Sequence, residues 1–389
     1  MDFTLNEEHI MLKDMLRDFT DKELKPRAEK ADKTGMLDDL LIEQAKELGL
    51  FGISIPEAYD GGGMGEIGYC VALEELSRGC ASFVTMLGAH LGLASTAILL
   101  YGSEEQKQRY LKPMARGELL GAFALTESTA GSDAGGIQAR AQIDGDSLII
   151  NGAKQWITNG DTADVIVLFA LTDPDMIKPG GISAIIVEPK KSTGFTVGKL
   201  EKKLGIRGSH TAELFFSDLR VPKENILGRM HRGFRVAMGT LDYGRISLAA
   251  GCLGAAKELV DLSLAFAKER IQFDSPIHSF QLVQQKLADM ATVTYAMEAM
   301  IMRTAWMVDT KRKFKKEAAM CKLFASDMLD RVVDHAMQIF GGAGYMEDYP
   351  IERMYRDARI NRIFEGTNEI QSLVIAGELI KKGRYVVQS

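Results

Sequence analysis

One carboxylate near the C-terminus has the neighbours that acid–base chemistry requires. Glu365 follows Ile363 and Phe364 and precedes Gly366, Thr367 and Asn368. Apolar neighbours solvate a carboxylate poorly, disfavour its charged form and move its pKa toward neutrality. A base tuned in that way can take a weakly acidic proton at physiological pH. Gly366 has no side chain, so a ligand can approach the backbone there. Thr367 and Asn368 offer polar groups before the apolar residues resume. Taken alone, Phe-Glu-Gly also describes an ordinary loop leading into a helix.

Other stretches with chemical potential are weaker. Gly63-Met64-Gly65-Glu66-Ile67-Gly68 has the form of a dinucleotide fingerprint. No strand ends at its first glycine, however, and no acidic residue follows about 20 positions on to hold a ribose. It reads as a flexible bend before a helix over Tyr69–Arg78. The six histidines are scattered, with no His-Glu-x-x-His, and the four cysteines, at 70, 80, 252 and 321, show no Cys-x-x-Cys spacing. No metal site is expected, and the cysteines read as small apolar residues of a reduced compartment. His90 reads as a satisfied core histidine.

Glu365 has company along the chain. Phe123-Ala124-Leu125-Thr126-Glu127, Gly131-Ser132-Asp133, Trp156-Ile157-Thr158-Asn159-Gly160, Asp242-Tyr243-Gly244-Arg245 and Gln338-Ile339-Phe340-Gly341-Gly342-Ala343-Gly344-Tyr345 occur in that order. In these motifs the sequence resembles the acyl-CoA dehydrogenases, and the resemblance runs from the first helix to nearly the last residue. It implies α,β-dehydrogenation of a fatty acyl-CoA to the trans-2-enoyl-CoA, with Glu365 as the base. Such a reaction needs a base for the α proton, stabilisation of the enolate oxygen and an acceptor for the β hydride. Protein side chains supply no hydride acceptor, so a cofactor must. With no credible nicotinamide fingerprint, a flavin remains, and the resemblance implies FAD.

The resemblance also carries over residue by residue. Phe123, Leu125, Thr126 and Ser132 match the strand and loop beside the flavin ring, and Trp156, Ile157 and Thr158 match the segment packed near it. Arg270, Phe273 and Gln281, with Gln338, Gly341 and Gly342, match residues that reach the cofactor of an adjacent subunit. Thr367, Asn368 and Glu369 complete the cofactor set. Ser132, Asp242, Tyr243, Arg245 and Gly366 match contacts to the acyl-CoA, and Arg245 alternatively holds the active-site loops together. Some relatives carry the base at the position of Gly244; glycine cannot act as a base, so Glu365 is the only matched candidate. Ser128 stands where many members have proline, which a turn tolerates. Electrons are expected to leave through an electron-transferring flavoprotein, and the assembly to be a homotetramer, as a dimer of dimers. Gly88 and Ala89 resemble the acyl-pocket segment of very-long-chain members, so medium to long straight chains are the expected substrates. The chain ends soon after the base-bearing helix, so the extra domain of those members is not expected. An acyl-CoA oxidase or enoyl-CoA reductase on the same scaffold, and a flavin- or acyl-CoA-binding protein without turnover, are the rival functions.

These residues need elements to position them. Residues 1–120 read as helical. One segment begins at Asn6 with Ile10, Leu12, Met15, Leu16 and Phe19 at helical spacing. A second, Asp38 to Leu48, carries Leu40, Leu41, Ile42, Ala45 and Leu48, with Gly49 to close it. Residues 84–103 read as a buried helix rich in small residues. Residues 121–231 read as a compact β domain of about seven short strands, with turns at Asp144-Gly145 and Asn151-Gly152. Residues 232–389 return to helical periodicity, with helices expected over Ile246–Phe273, Gln281–Asp309, Phe314–Phe340 and Glu369–Lys382. Helices, then strands, then helices imply an α+β fold. By resemblance it is acyl-CoA dehydrogenase-like: a helical N-terminal domain, a central β domain and a C-terminal four-helix bundle.

Composition bounds the partners. The 389 residues suffice for two or three cores, and 46% hydrophobic with 26% charged residues is the balance of a soluble globular chain. A net charge of −6 without a long basic stripe argues against nucleic acid. The basic run Lys311–Lys316 reads as a solvated connection between helices. No uncharged apolar run of membrane-spanning length is noted, so no membrane span is expected. Acidic residues stand near the N-terminus where a transit peptide carries bases. Cytoplasm is the default compartment, and a processed mitochondrial matrix form would look the same.

Overall fold

Side-chain caps set where the first helices begin. The computed structural model describes residues 5–383. Its N-terminal layer comprises α1 (Glu7–Phe19), α2 (Lys25–Thr34), α3 (Asp39–Glu47), α4 (Gly65–Ser77), α5 (Ala81–Gly88), α6 (Thr96–Tyr101) and α7 (Glu104–Ala115). Asn6 accepts from the His9 N–H at 2.8 Å, and Asp38 from the Leu40 N–H at 3.0 Å. Ser103 and Gln106 form a reciprocal capping box on α7. Each satisfies backbone donors that a helix start leaves free. The cap of α4 comes from far away in sequence: Asp309 accepts from the Glu66 and Ile67 N–H groups at 2.8 and 3.0 Å. That carboxylate fills the slot at the glycine-rich stretch where a phosphate would have to bind.

The expected apolar faces hold in part. Leu12, Leu16, Phe19, Leu41 and Ala45 are buried, whereas Ile10, Met15, Leu40 and Leu48 are exposed, because only the centre of an amphipathic stripe reaches the core. One expectation is corrected outright. Ala81–Tyr101 is uncharged, and by length and composition it is long and apolar enough to cross a membrane. Gly, Ser, Thr and His residues dilute the run. Here α5 and α6 are joined through a π-helical segment, Ala89–Ser95, and 61% of the most apolar window is buried inside the fold. His90 anchors it: Nδ1 accepts from the Gly121 N–H at 3.0 Å, and Nε2 faces the carbonyls of Phe51 and Met114 at 3.2 and 3.1 Å. Burial pushes its pKa down to about 4, so it stays neutral.

Eight strands form one sheet: β1 (Gly121–Ala124), β2 (Arg140–Asp144), β3 (Ser147–Thr158), β4 (Val165–Leu171), β5 (Ile182–Val187), β6 (Phe195–Leu200), β7 (Thr211–Pro222) and β8 (Ile226–Leu227). The order is β6-β7-β3-β2-β4-β5-β8, with β1 parallel to β4. β4 is apolar throughout because its faces serve two cores. Val165, Val167 and Phe169 join the helical core, and Ile166, Leu168 and Ala170 join the sheet's own. β6 was not anticipated; it is short and half-exposed, with a charged end. Asn151-Gly152 is not a turn. It is a bulge within β3, and Gly152, at φ 144°, lies where a Cβ would clash with Ala139.

The C-terminal layer contains α8 (Gly233–Glu269), α9 (Gln281–Asp309), α10 (Lys315–Phe340), α11 (Gly342–Tyr345), α12 (Ile351–Ala358) and α13 (Asn368–Lys382). The long helices α8, α9, α10 and α13 form the expected bundle. α8 starts at Gly233 rather than Ile246. Gly239 and Gly244 weaken helix propensity, but close packing on Tyr101 and Glu365 overrides it.

A buried ion pair joins strand β3 to the loop that follows β1. Lys154, 1% exposed, donates to Glu127 Oε1 at 2.8 Å and to the Leu125 carbonyl at 3.0 Å. Glu127 also accepts from the Gln138 and Ala139 N–H groups at 2.6 and 3.0 Å. Removing one partner leaves the other charge buried and unpaired. Lys154→Met is therefore expected to lower stability by about 3–5 kcal/mol. The double variant with Glu127→Gln should recover part of that loss. Urea denaturation followed by circular dichroism compares them.

Candidate active site

A sharp bend aims Glu365 inward. Glu365 has φ 55° and Gly366 φ 91°, so two successive residues occupy left-handed backbone; for glutamate that is uncommon and must be held by its surroundings. Gln371, fully buried on the first turns of α13, holds it. Its Nε2 donates to the carbonyls of Glu365 and Gly366 at 3.2 and 2.9 Å. Thr367 caps α13 by accepting from the Ile370 N–H at 3.4 Å. Among the described residues, the Glu365 N–H itself has no acceptor.

The carboxylate rests on bare backbone. A Cβ built on Gly244 would fall well inside contact with Glu365 Oε2, and Leu93 closes the same spot. Glu365 as a residue is part-exposed because it lines a cavity. Its Oε2 is nonetheless buried with no hydrogen-bond partner. Burial raises its pKa to about 7, opposed by the charges of Arg245 and Lys322. Arg245, buried, donates to Asp242 Oδ1 at 2.5 Å. Burial lifts Asp242 to about 6, with Arg245 opposing. Lys322 is buried as well, and donates to Asn368 Oδ1 at 2.8 Å.

The cavity measures about 980 Å³ and gathers residues from all three layers. Phe123, Leu125, Thr126, Ser132, Trp156, Ile157, Thr158, Arg245, Glu365 and Gly366 all line it. The others lie elsewhere. Asp242 touches it only through Arg245, and Tyr243 stacks edge-on against Phe314 at 5.0 Å. Thr367, Asn368 and Glu369 form the start of α13. The Asn368 side chain turns away into the bundle, where Ser326 and Asp327 accept from it at 2.9 and 2.8 Å. Arg270, Phe273, Gln281, Gln338, Gly341 and Gly342 are absent from the cavity lining. Phe273, 90% exposed, and Gln338 line a separate hollow of about 290 Å³. Sequence reasoning missed Gln371 and Lys322, which carry no motif of their own; the signal in both is a polar residue on a helix face that is otherwise buried.

Trp156, at φ 59°, is 55% exposed and lines the cavity together with Thr126 and Thr158. At Gly341 and Gly342, which lie off this cavity, a built Cβ would meet nothing within 4 Å. Helical layers enclose the sheet, and a carboxylate of raised pKa lines the cavity they share. The chain belongs to the acyl-CoA dehydrogenase family. It matches the family's N-terminal domain over residues 6–118, its middle domain over 122–219 and its C-terminal domain over 231–380.

It is 46% identical to the probable acyl-CoA dehydrogenase YngJ of Bacillus subtilis (strain 168), over 98% of this chain and 100% of the relative. It is equally similar, at 46%, to the acryloyl-CoA reductase (NADH) of Anaerotignum propionicum, over 98% and 97%. The mitochondrial short-chain specific acyl-CoA dehydrogenase of Bos taurus is 44% identical over 98% and 92%. Among solved structures, a chain from a study of the electron transferring flavoprotein of Acidaminococcus fermentans superposes with a TM-score of 0.95 at 45% identity, covering 98% and 100%. The acyl-CoA dehydrogenase of Bacillus anthracis, complexed with FAD, has a TM-score of 0.92 at 40% identity, covering 97% of this chain and 68% of that one. The protein is an oxidoreductase, and the family and this complex support FAD as its cofactor.

Gly244→Ala tests the seat of the carboxylate. A methyl group there must push Glu365 aside, and a misplacement near 1 Å costs on the order of a hundredfold in rate. The expected variant keeps flavin absorbance and loses about that much kcat with an acyl-CoA; stopped-flow flavin reduction measures it.

Proposed function

We propose that the protein removes hydrogen from the α and β carbons of a fatty acyl-CoA, giving the trans-2-enoyl-CoA, with Glu365 as the base. The observation that carries this reading is the Glu365 carboxylate itself: turned inward, its Oε2 unpartnered, its pKa raised to about 7 by burial. Bound FAD supplies the hydride acceptor. The side chains supply the rest. Glu365 takes the α proton, and its backbone N–H, free among the described residues, donates to the thioester oxygen as that oxygen gains charge. Gln371 keeps that N–H and the carboxylate in fixed relation by holding the two following carbonyls. Arg245 favours the charged form of the base. Leu93 and the Gly244 backbone keep water from the buried oxygen, so the base does not lose its raised pKa.

Electron-transferring flavoprotein is the proposed acceptor, supported by the likeness to the Acidaminococcus fermentans chain. A homotetramer is the proposed assembly. Arg270, Phe273, Gln281, Gln338, Gly341 and Gly342 lie off the chain's own cavity, which suits residues that serve a neighbouring copy. A second reading is supported by the 46% identity to acryloyl-CoA reductase (NADH): the reverse reaction, in which protonated Glu365 returns the proton to an enoyl-CoA. NADH oxidation driven by an enoyl-CoA would favour that direction. Peroxide formed in air without another acceptor would favour an oxidase.

Glu365→Gln is expected to retain FAD and lose flavin bleaching by acyl-CoA under anaerobic conditions; bleaching at an unchanged rate contradicts the assignment. The pH profile has a definite sign. A carboxyl whose pKa is raised is protonated below about 7 and cannot accept a proton there. The wild-type reduction rate should therefore rise with pH through about 7 and level above it. Arg245→Gln removes an opposing charge and should move that limb to higher pH.

A further inference from the structure

Behind the wall of the cavity, three buried oxygens lack a partner. Glu365 Oε2, Tyr69 Oη and Glu66 Oε1 each make no hydrogen bond among the described residues. A buried oxygen without a partner has given up its solvation for nothing, so native folds keep few of them. Here the three follow the contact of α4 with α8. Glu365 Oε2 lies against Gly244, well inside the reach of a built Cβ. One turn on, Ser247 Oγ donates to the Gly244 carbonyl at 2.9 Å. Ser247 Oγ and Tyr69 Oη then share a neighbour: each stands 3.2 Å from a Cβ built on Gly92. Glu66 precedes Tyr69 by three residues on α4, so both side chains leave the helix on one face.

The row leads away from the ligand. Ser247 lines the cavity, whereas Tyr69 and Glu66 do not. Both are buried, and the turn before Glu66 reaches the surface at the exposed Gly62 and Gly63. The charges suit a mobile proton. Burial, helped by the Asp309 carboxylate, raises Glu66 to about 8, and burial raises Glu365 to about 7. A proton on Glu365 therefore meets a second carboxyl of similar affinity. Tyr69 stays a protonated phenol, chiefly through burial, with the carboxylates of Glu66 and Glu365 adding to it. Both carboxylates thus act on the one hydroxyl.

An acyl-CoA seated in the cavity covers the open side of Glu365, and Leu93 and Gly244 close the other side to bulk water. The proton that the base has taken then needs a built exit. Resting on the reaction proposed above, we infer that Tyr69, Ser247 and Glu66 form that exit: a proton relay through one ordered water that the two hydroxyls hold against Glu365 Oε2. Such a water has three polar partners, the usual number for a buried one. Glu66 first gives its proton to solvent. The Glu365 carboxyl gives its proton to the water, and the water passes one to Tyr69 Oη. Tyr69 passes its own O–H proton to the Glu66 carboxylate. The water and Tyr69 end as they began, Glu365 returns to its charged form, and no electron moves.

The test compares two rates on the FAD-loaded enzyme with butyryl-CoA under anaerobic conditions. One is flavin bleaching by stopped flow; the other is entry of solvent deuterium at the α carbon, followed by NMR. Bleaching needs the proton to reach Glu365, and exchange needs it also to leave. Tyr69→Phe removes the relaying hydroxyl and Glu66→Gln the receiving carboxylate. Each should lower the ratio of exchange to bleaching by on the order of a hundredfold. A general disturbance of the fold slows both rates together and leaves the ratio in place. An unchanged ratio in either variant, folded and FAD-bound, overturns the relay and leaves the reaction standing; so does a wild type that bleaches without exchange. A wild type that does not bleach overturns the reaction itself.

Discussion

The candidate site depends on one steric fit: the carboxylate of Glu365 against the bare backbone of Gly244. That fit requires a glutamate in left-handed backbone, a glycine in mid-helix and a glutamine to hold the bend. Each is unfavourable by local rules. Glycine within α8 weakens the helix by about 1 kcal/mol, and a non-glycine left-handed residue carries a cost of order 1–3 kcal/mol. The surrounding layers must compensate, and the burial they provide is also what raises the pKa of the carboxylate. Strain, burial and basicity therefore have a common origin.

The rest of the fold serves that geometry. The α5–α6 segment lies between the helical core and β1, tied at its centre by a neutral histidine. β4 joins the two cores by giving one face to each. The Lys154–Glu127 pair fixes Thr126 relative to Trp156, as does the Gln155 N–H donating to the Thr126 carbonyl at 2.9 Å. These contacts tie the loop after β1 to β3, both of which line the cavity.

Much of this was legible in the sequence, and the gaps have physical causes. The three-layer fold followed from periodicity, and the site from motifs whose residues do converge: Phe123, Thr126, Trp156, Arg245 and Glu365 meet on one cavity. Gly244 was read as the lack of a base; its positive role, making room for Glu365, needs three dimensions. Gly239 and Gly244 also hid the first turns of α8, since their packing partners lie far away in sequence. Asn151-Gly152 has turn chemistry but sits in a bulge, because pairing with β7 continues on both sides. The Asn368 side chain is held by Lys322, Ser326 and Asp327, partners that are far from it in sequence.

The central claim is that Glu365 removes the proton next to the thioester. The direct measurement is exchange of the α hydrogens of butyryl-CoA with deuterated solvent, followed by NMR under anaerobic conditions with the FAD-loaded protein. The account predicts exchange by the wild type and none above background for a folded, FAD-bound Glu365→Gln variant. Equal exchange by both would mean that another group removes the proton.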